Sequence, residues 1–182
     1  MKPVIIVAGM LGAGCTSVAF ELSKLTGFEV VNSERIIREV VSEKGASYAM
    51  FAEMVRDGEV DLEGLIRNVA IDYVEEGNVI VEGRTAFLVL DRPAILKVFL
   101  YADRRARAER VAKRRGVSLA EAEREVEVSD EDRNRLVERL YRKPFTDPSL
   151  YDAVINTTGL SYEAVAQLLN EMLRWKQRVS KA

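Results

Sequence analysis

One run of residues constrains this chain more than any other: Gly9-Met10-Leu11-Gly12-Ala13-Gly14-Cys15-Thr16-Ser17. It follows the apolar stretch Val4-Ile5-Ile6-Val7-Ala8 and leads into a pattern that sets Val18, Leu22 and Leu25 on one helical face. Strand, glycine-rich turn and helix make the setting a phosphate-binding loop requires. Gly9, Gly12 and Gly14 let the backbone curl until successive N–H groups point at one anion. The helix behind them adds the positive end of its dipole. Thr16 stands where such loops place a hydroxyl on Mg²⁺. The pattern G-x-x-x-x-G-K-[ST] is met except at the lysine, whose place is taken by Cys15. A plain turn joining a strand to a helix is the competing reading. Three glycines in six residues, with a threonine at the metal position, argue against it. Cys15 reads as a small filler at the helix start. The alternative is a thiol activated by the helix N-terminus and open to redox control.

At 182 residues the chain is expected to form a single domain, 1–182, long enough for a substantial core. Its 27 basic and 29 acidic residues nearly cancel, which removes the bulk electrostatic argument for nucleic acid or a membrane surface as a partner. A single cysteine cannot form an internal disulfide and fits a reducing, cytoplasmic setting. The short, glycine-broken apolar run near the start does not read as a signal peptide, and no apolar stretch is long enough to span a bilayer. The chain has no histidine, which excludes Ser-His-Asp and Cys-His nucleophile systems and most zinc sites.

Further along, Glu29-Val30-Val31 reads as a second strand, followed by a helix capped by Ser33 and running to Lys44, where Gly45 breaks it. Tyr48 to Val55 and Asp61 to Glu76 carry helical periodicity, with a turn at Asp57-Gly58 between them. Val79-Ile80-Val81 is a buried-type strand ending at Glu82-Gly83-Arg84, and Ile95 to Leu100 is the fourth strand. Asp103 to Arg115 is a basic helix closed by Gly116. Ser118-Leu119-Ala120-Glu121 then opens a long charged helix reaching about Arg142. That helix is polar nearly all round, which predicts that it projects from the core. Pro144 and Pro148 end the excursion, Asp152 to Asn156 is a fifth strand, and Ser161 to about Arg178 a closing amphipathic helix. Strands alternating with helices predict an α/β fold with a parallel sheet.

Open parallel sheets bind ligands beyond the carboxyl ends of their strands. Besides the loop, those positions hold Ser33 and Arg38, then Glu82 and Arg84, then Arg110 and Arg114 one helical turn apart. The charged helix adds Arg133 and Arg135. Each arginine alone reads as a solvated surface charge. Their gathering at one sheet edge suits polyphosphate, which guanidinium groups grip bidentately.

Over nearly its whole length the chain resembles the cytidylate kinases, a family of nucleoside monophosphate kinases. The resemblance rests on the loop, on Asn32 to Arg38, on Glu82-Gly83-Arg84, on Ala108 to Arg114, on Asp132-Arg133-Asn134-Arg135 and on Ala153 to Thr158. It is nearest to the archaeal-type branch, in which a small residue also replaces the loop lysine. The resemblance implies a P-loop NTPase three-layer sandwich, with a five-stranded parallel sheet, helices on both faces and a helical lid. It implies an acceptor-binding helical region over about 33–76 and a lid over about 116–142. It also implies transfer of the γ-phosphoryl of ATP to CMP or dCMP, with Mg²⁺. By the same resemblance Gly9, Gly12, Ala13, Gly14, Cys15, Thr16 and Ser17 would cradle the donor phosphates, with Thr16 on the metal and Arg110 on the donor base. Ser33, Arg38 and Arg84 would take CMP, Glu82 would orient metal-bound water, and Arg114, Asp132, Arg133 and Arg135 would serve the transferring group. Two positions depart from the family: Cys15, and Val128 where the lid motif begins with arginine. Arg124 lies one turn earlier and is the candidate to stand in. The expected partners are small-molecule nucleotides, with no nucleic acid and no membrane, and a monomer is expected.

Three other readings stay open: a kinase for another monophosphate or small metabolite, a nucleotide-binding module without catalysis, and a nucleic-acid binder using the arginine-rich helix. Seven acidic residues between Glu121 and Asp132 interleave with those arginines and weigh against the last.

Overall fold

In the computed structural model residues 2–43, 45 and 47–179 are described. The chain runs β1 (Val4–Gly9), α1 (Cys15–Thr26), β2 (Glu29–Val31), α2 (Ser33–Glu43), α3 (Tyr48–Arg56), α4 (Leu62–Glu76), β3 (Val79–Glu82), α5 (Arg84–Phe87), β4 (Leu96–Tyr101), α6 (Arg104–Arg115), α7 (Leu119–Tyr141), β5 (Ala153–Asn156) and α8 (Tyr162–Val179), with a short 3₁₀ turn at Pro148–Leu150. Every strand pair is parallel, and the strand order is β2-β3-β1-β4-β5. The glycine loop therefore leaves the central strand, flanked by the ends of β3 and β4.

Strand alternation divides the core into two faces. Val4, Ile6, Ala8, Val79, Val81 and Phe99 point to one side, where Ile36, Ile66, Ala70, Phe87 and Leu136 cover them. Ile5, Val7, Ile80, Leu96, Val98 and Leu100 point to the other, against Val18 and Leu22 of α1 and Val165, Leu169 and Leu173 of α8. Helices on both faces of a parallel sheet explain why its strands read as continuous apolar runs. Among the described residues no helix is long and apolar enough to cross a membrane.

Three expectations change. The α2 cap is Asn32, not Ser33: the Asn32 Oδ1 accepts from the Arg35 N–H at 2.9 Å, so Ser33 already lies inside the helix. The expected end at Lys44 lies outside the described residues. A short helix, α5, and the buried turn Leu88-Val89-Leu90 fill the stretch after β3, for which no element was expected. Most importantly, α7 does not project. Its first half packs Ala122 and Val126 on Ala108 and Val111 of α6. Its second half places Leu136 and Val137 in the main core. Tyr141 then donates to the Phe87 carbonyl at 2.7 Å. Phe145, just past the helix, stacks edge-on against Phe87 and Phe99, with centroids 6.1 and 5.6 Å away.

Candidate active site

The loop is fixed at its exits by the sheet and at its crest by side chains behind it. The Met10 N–H donates to the Leu100 carbonyl at 3.0 Å, and the Ala13 N–H closes a turn onto the Met10 carbonyl at 3.0 Å. Gly12 and Gly14 have φ of 82° and 96°, the left-handed region that L side chains rarely adopt. Neither site has room for a side chain. A Cβ on Gly12 would stand 2.7 Å from the Arg107 carbonyl oxygen, and one on Gly14 would stand 2.5 Å from the Tyr162 ring.

Around the loop lies a cavity of about 170 Å³ lined by Gly9, Gly12, Gly14, Cys15, Thr16 and Ser17, and by Glu82, Arg110, Arg114 and Arg133. Glu82 is 3% exposed. It accepts from the Thr16 hydroxyl at 3.1 and 3.0 Å and from Asn32 Nδ2 at 2.7 Å. Burial raises its pKa, opposed by those two hydrogen bonds and by the charges of Arg114 and Arg133. Asn32 thus does two tasks, capping α2 with one atom and holding the carboxylate with the other. Arg110 donates to the Gly12 carbonyl at 3.1 Å and to the Thr157 carbonyl at 2.9 Å, and lies 5.8 Å from the centre of the Tyr162 ring. Arg133 is 9% exposed, and its Nε has no hydrogen-bond partner among the described residues. Its Nη1 meets the Ser129 hydroxyl. A buried guanidinium left partly unmet is costly unless an anion arrives.

A second cavity of about 350 Å³ is lined by Ser33, Ile37, Ile66, Glu63, Arg84 and Thr85, among others. A more open cleft of about 560 Å³ runs along α7 and is shared by Arg84, Arg124, Val128, Asp132 and Arg133.

Four expected site residues stand elsewhere or act otherwise. Arg38 is exposed on α2 and lines none of these cavities. Ile37 faces the second cavity, and one residue on turns the helix by about 100°. The Arg135 side chain is 70% exposed and pairs with Glu131 at 3.1 Å and Asp132 at 3.8 Å on its own helix. Ala13 is buried, and its N–H is spent in the turn, so the anion-facing donors do not form one unbroken row from Gly12 to Thr16. Cys15 is buried, and burial pushes its thiol up to about 12, which removes the activated-thiol alternative. Sequence reasoning gave no role to Asn32, Thr157, Tyr162 or Arg107. Only Asn32 carried a local signal, as a residue type favoured at helix starts.

The donor set suits Mg²⁺: Thr16 and Glu82 offer hard oxygen atoms, and the Thr16 hydroxyl keeps lone pairs free while its hydrogen goes to Glu82. The chemistry this assembly can perform is the capture of a polyphosphate on backbone N–H groups with arginines converging on its far end.

Comparison with known proteins gives a consistent result. The profile of the cytidylate kinase-like family matches residues 59–159. A protein named cytidylate kinase from Methanopyrus kandleri is 35% identical over 176 residues, covering 91% of this chain and 90% of its own. One of the same name from Pyrococcus horikoshii is 36% identical over 165 residues, covering 90% and 84%. Among solved structures, the shikimate kinase from Acinetobacter baumannii superimposes with a TM-score of 0.62 at 18% identity, covering 95% of this chain and 93% of that one. The shikimate kinase from Bacteroides thetaiotaomicron gives 0.64 at 16% identity, covering 94% and 98%. These structural likenesses establish the fold, a three-layer α/β sandwich around a five-stranded parallel sheet.

Proposed function

Since the chain belongs to the cytidylate kinase-like family, we propose that it transfers the γ-phosphoryl group of ATP to CMP, giving ADP and CDP. One observation carries the reading. Glu82 and Gly83 line the loop cavity, while Arg84 and Thr85, the next two residues, line the second cavity. Neighbouring Cα atoms are about 3.8 Å apart, so a donor in the first cavity and an acceptor in the second meet beside Gly83.

In the transfer, the bond from the γ-phosphorus to the β,γ-bridging oxygen breaks and its electrons leave with ADP. A CMP phosphate oxygen forms the new bond. That oxygen is already ionised, so no general base is needed, and the protein supplies alignment and positive charge. Backbone N–H groups of the loop and the α1 N-terminus hold the donor phosphates. Arg114 and Arg133 face the transferring group, and Arg84 the acceptor phosphate. Arg110, stacked beside Tyr162, takes the donor's base side. Thr16 and Glu82 would hold Mg²⁺, which supplies charge neutralisation at the phosphates. The protein would act as a monomer on free cytoplasmic nucleotides. The segment over about 33–76 would form the acceptor side, and of the expected lid over 116–142 the half before Ser129 would move, since Leu136 and Val137 lie in the main core.

The test is initial rates with ATP, Mg²⁺ and a panel of CMP, dCMP, UMP and AMP. CMP or dCMP is expected to give the highest kcat/KM. Preference for another acceptor would replace the cytidylate assignment. Tight ATP binding with no turnover on any acceptor would make the protein a nucleotide-binding module.

A further inference from the structure

Arg107 lies outside both cavities and is 5% exposed. A buried guanidinium is tolerated only when it is well hydrogen-bonded, and here each of its three nitrogens finds an acceptor. Nε donates to the Ala102 carbonyl at 3.0 Å, and Nη1 to the Leu11 carbonyl at 3.3 Å and Asp130 Oδ1 at 3.0 Å. Nη2 donates to Asp130 Oδ2 at 2.8 Å. One side chain thus ties the end of β4, the glycine loop and α7 together.

Each tie acts on the phosphate site. In a trans peptide a carbonyl and the following N–H point opposite ways. Drawing the Leu11 carbonyl back to Arg107 turns the Gly12 N–H the other way. The Thr157 hydroxyl, donating to the Ala13 carbonyl at 2.8 Å, does the same for the Gly14 N–H. On the α7 side, the fork of Arg107 on the Asp130 carboxylate fixes how the helix is rotated. Arg133 follows Asp130 by three residues, a neighbour on the helix surface, and reaches the loop cavity.

We propose that Arg107 and Asp130 are a positioning pair that sets the loop and Arg133 in register, so that the donor phosphates meet both at once. The inference rests on the kinase reading above. It assigns these residues no contact with substrate.

Asp130→Asn keeps the shape and removes the charge. The KM for ATP is expected to rise about tenfold, since small misplacements of binding groups are costly. The KM for CMP should change by less than about twofold, and adding Asp130→Asn to Arg133→Ala should raise the ATP KM by no more than about a further twofold, because the two residues act as one unit. A merely structural pair would lower Tm and leave both KM values where they were, which would overturn the proposal. So would equal rises in both KM values, or full additivity with Arg133→Ala. If Asp130→Asn does not fold, Asp130→Glu decides: a rise of about threefold or more in the ATP KM upholds the pair, and no change overturns it. The unmutated protein separates the two readings. If it turns over no acceptor, the kinase reading fails, and the pair is judged by calorimetric ATP affinity alone, a loss of about tenfold upholding it and no loss overturning it.

Discussion

Cys15 occupies the place where a lysine would bridge phosphates, yet it is 8% exposed and its thiol is raised from 9.0 to about 12 by burial first and by the nearby Glu82 charge second. At neutral pH it is therefore protonated, neither binding phosphate nor repelling it. The linkage has a definite sign. The native state keeps a proton that the unfolded chain releases above about 9.0, so this stabilising preference is whole below that pH and is lost as pH rises towards about 12. A Cys15→Ala variant is expected to lose less stability across that window than the unmutated protein, by denaturant titration at matched pH. In the same protein at mildly alkaline pH, iodoacetamide is expected to label the native thiol far more slowly than the unfolded one. Equal labelling rates would place the thiol at the surface. The residue's burial was legible as a small filler. The atoms that shape the loop were not: Arg107 and Arg110 reach it across 96 and 98 positions of sequence, and Thr157 across 144, where no local pattern records a partner.

At the scale of elements, caps and periodicity carried most of the reading. Ser118 accepts from the Glu121 N–H as its capping box predicts, and Ser47 and Asp61, which the sequence reading did not mark as caps, do the same for Met50 and Gly64. The failure at α7 is instructive. Only Ala122, Val126, Arg133, Leu136 and Val137 are buried along its 23 residues, too thin a stripe to see beside so many charges. Exposed pairs such as Arg139 to Glu63 at 2.7 Å add little to its hold. The helix has two unequal halves, the first resting on a small cluster with α6 and the second embedded in the main core. Hydrogen exchange should report this directly. Amides before Ser129 are expected to exchange faster than those around Leu136 and to slow when ATP and CMP are both present, while the second half stays protected throughout. Uniform protection along α7 without nucleotide would mean that no lid moves there. Leu136→Ala is expected to cost about 2–5 kcal/mol in a denaturant melt.

For the whole molecule, alternation of strands and helices was enough to predict a parallel sheet, and the sheet-end rule was enough to collect Glu82, Arg84, Arg110, Arg114 and Arg133 at one edge. What neither supplies is the rotation of each helix about its own axis. Arg38 and Arg135 share the expected edge but turn away from it, whereas Arg107 lies on the inward face of α6 and is swallowed by the packing. The strand order adds a constraint in time. The loop follows β1, near the start of the chain, but the hydroxyl that draws back its Ala13 carbonyl follows β5, near the end. A chain emerging from the ribosome therefore delivers its nucleotide loop long before the latch. Nascent chains stalled just short of Thr157 are expected not to retain an immobilised ATP analogue that chains of full length retain. Nucleotide capture is thus expected to wait until the segment after β5 has emerged, and a chain cut before it is expected to carry the signature loop with no grip.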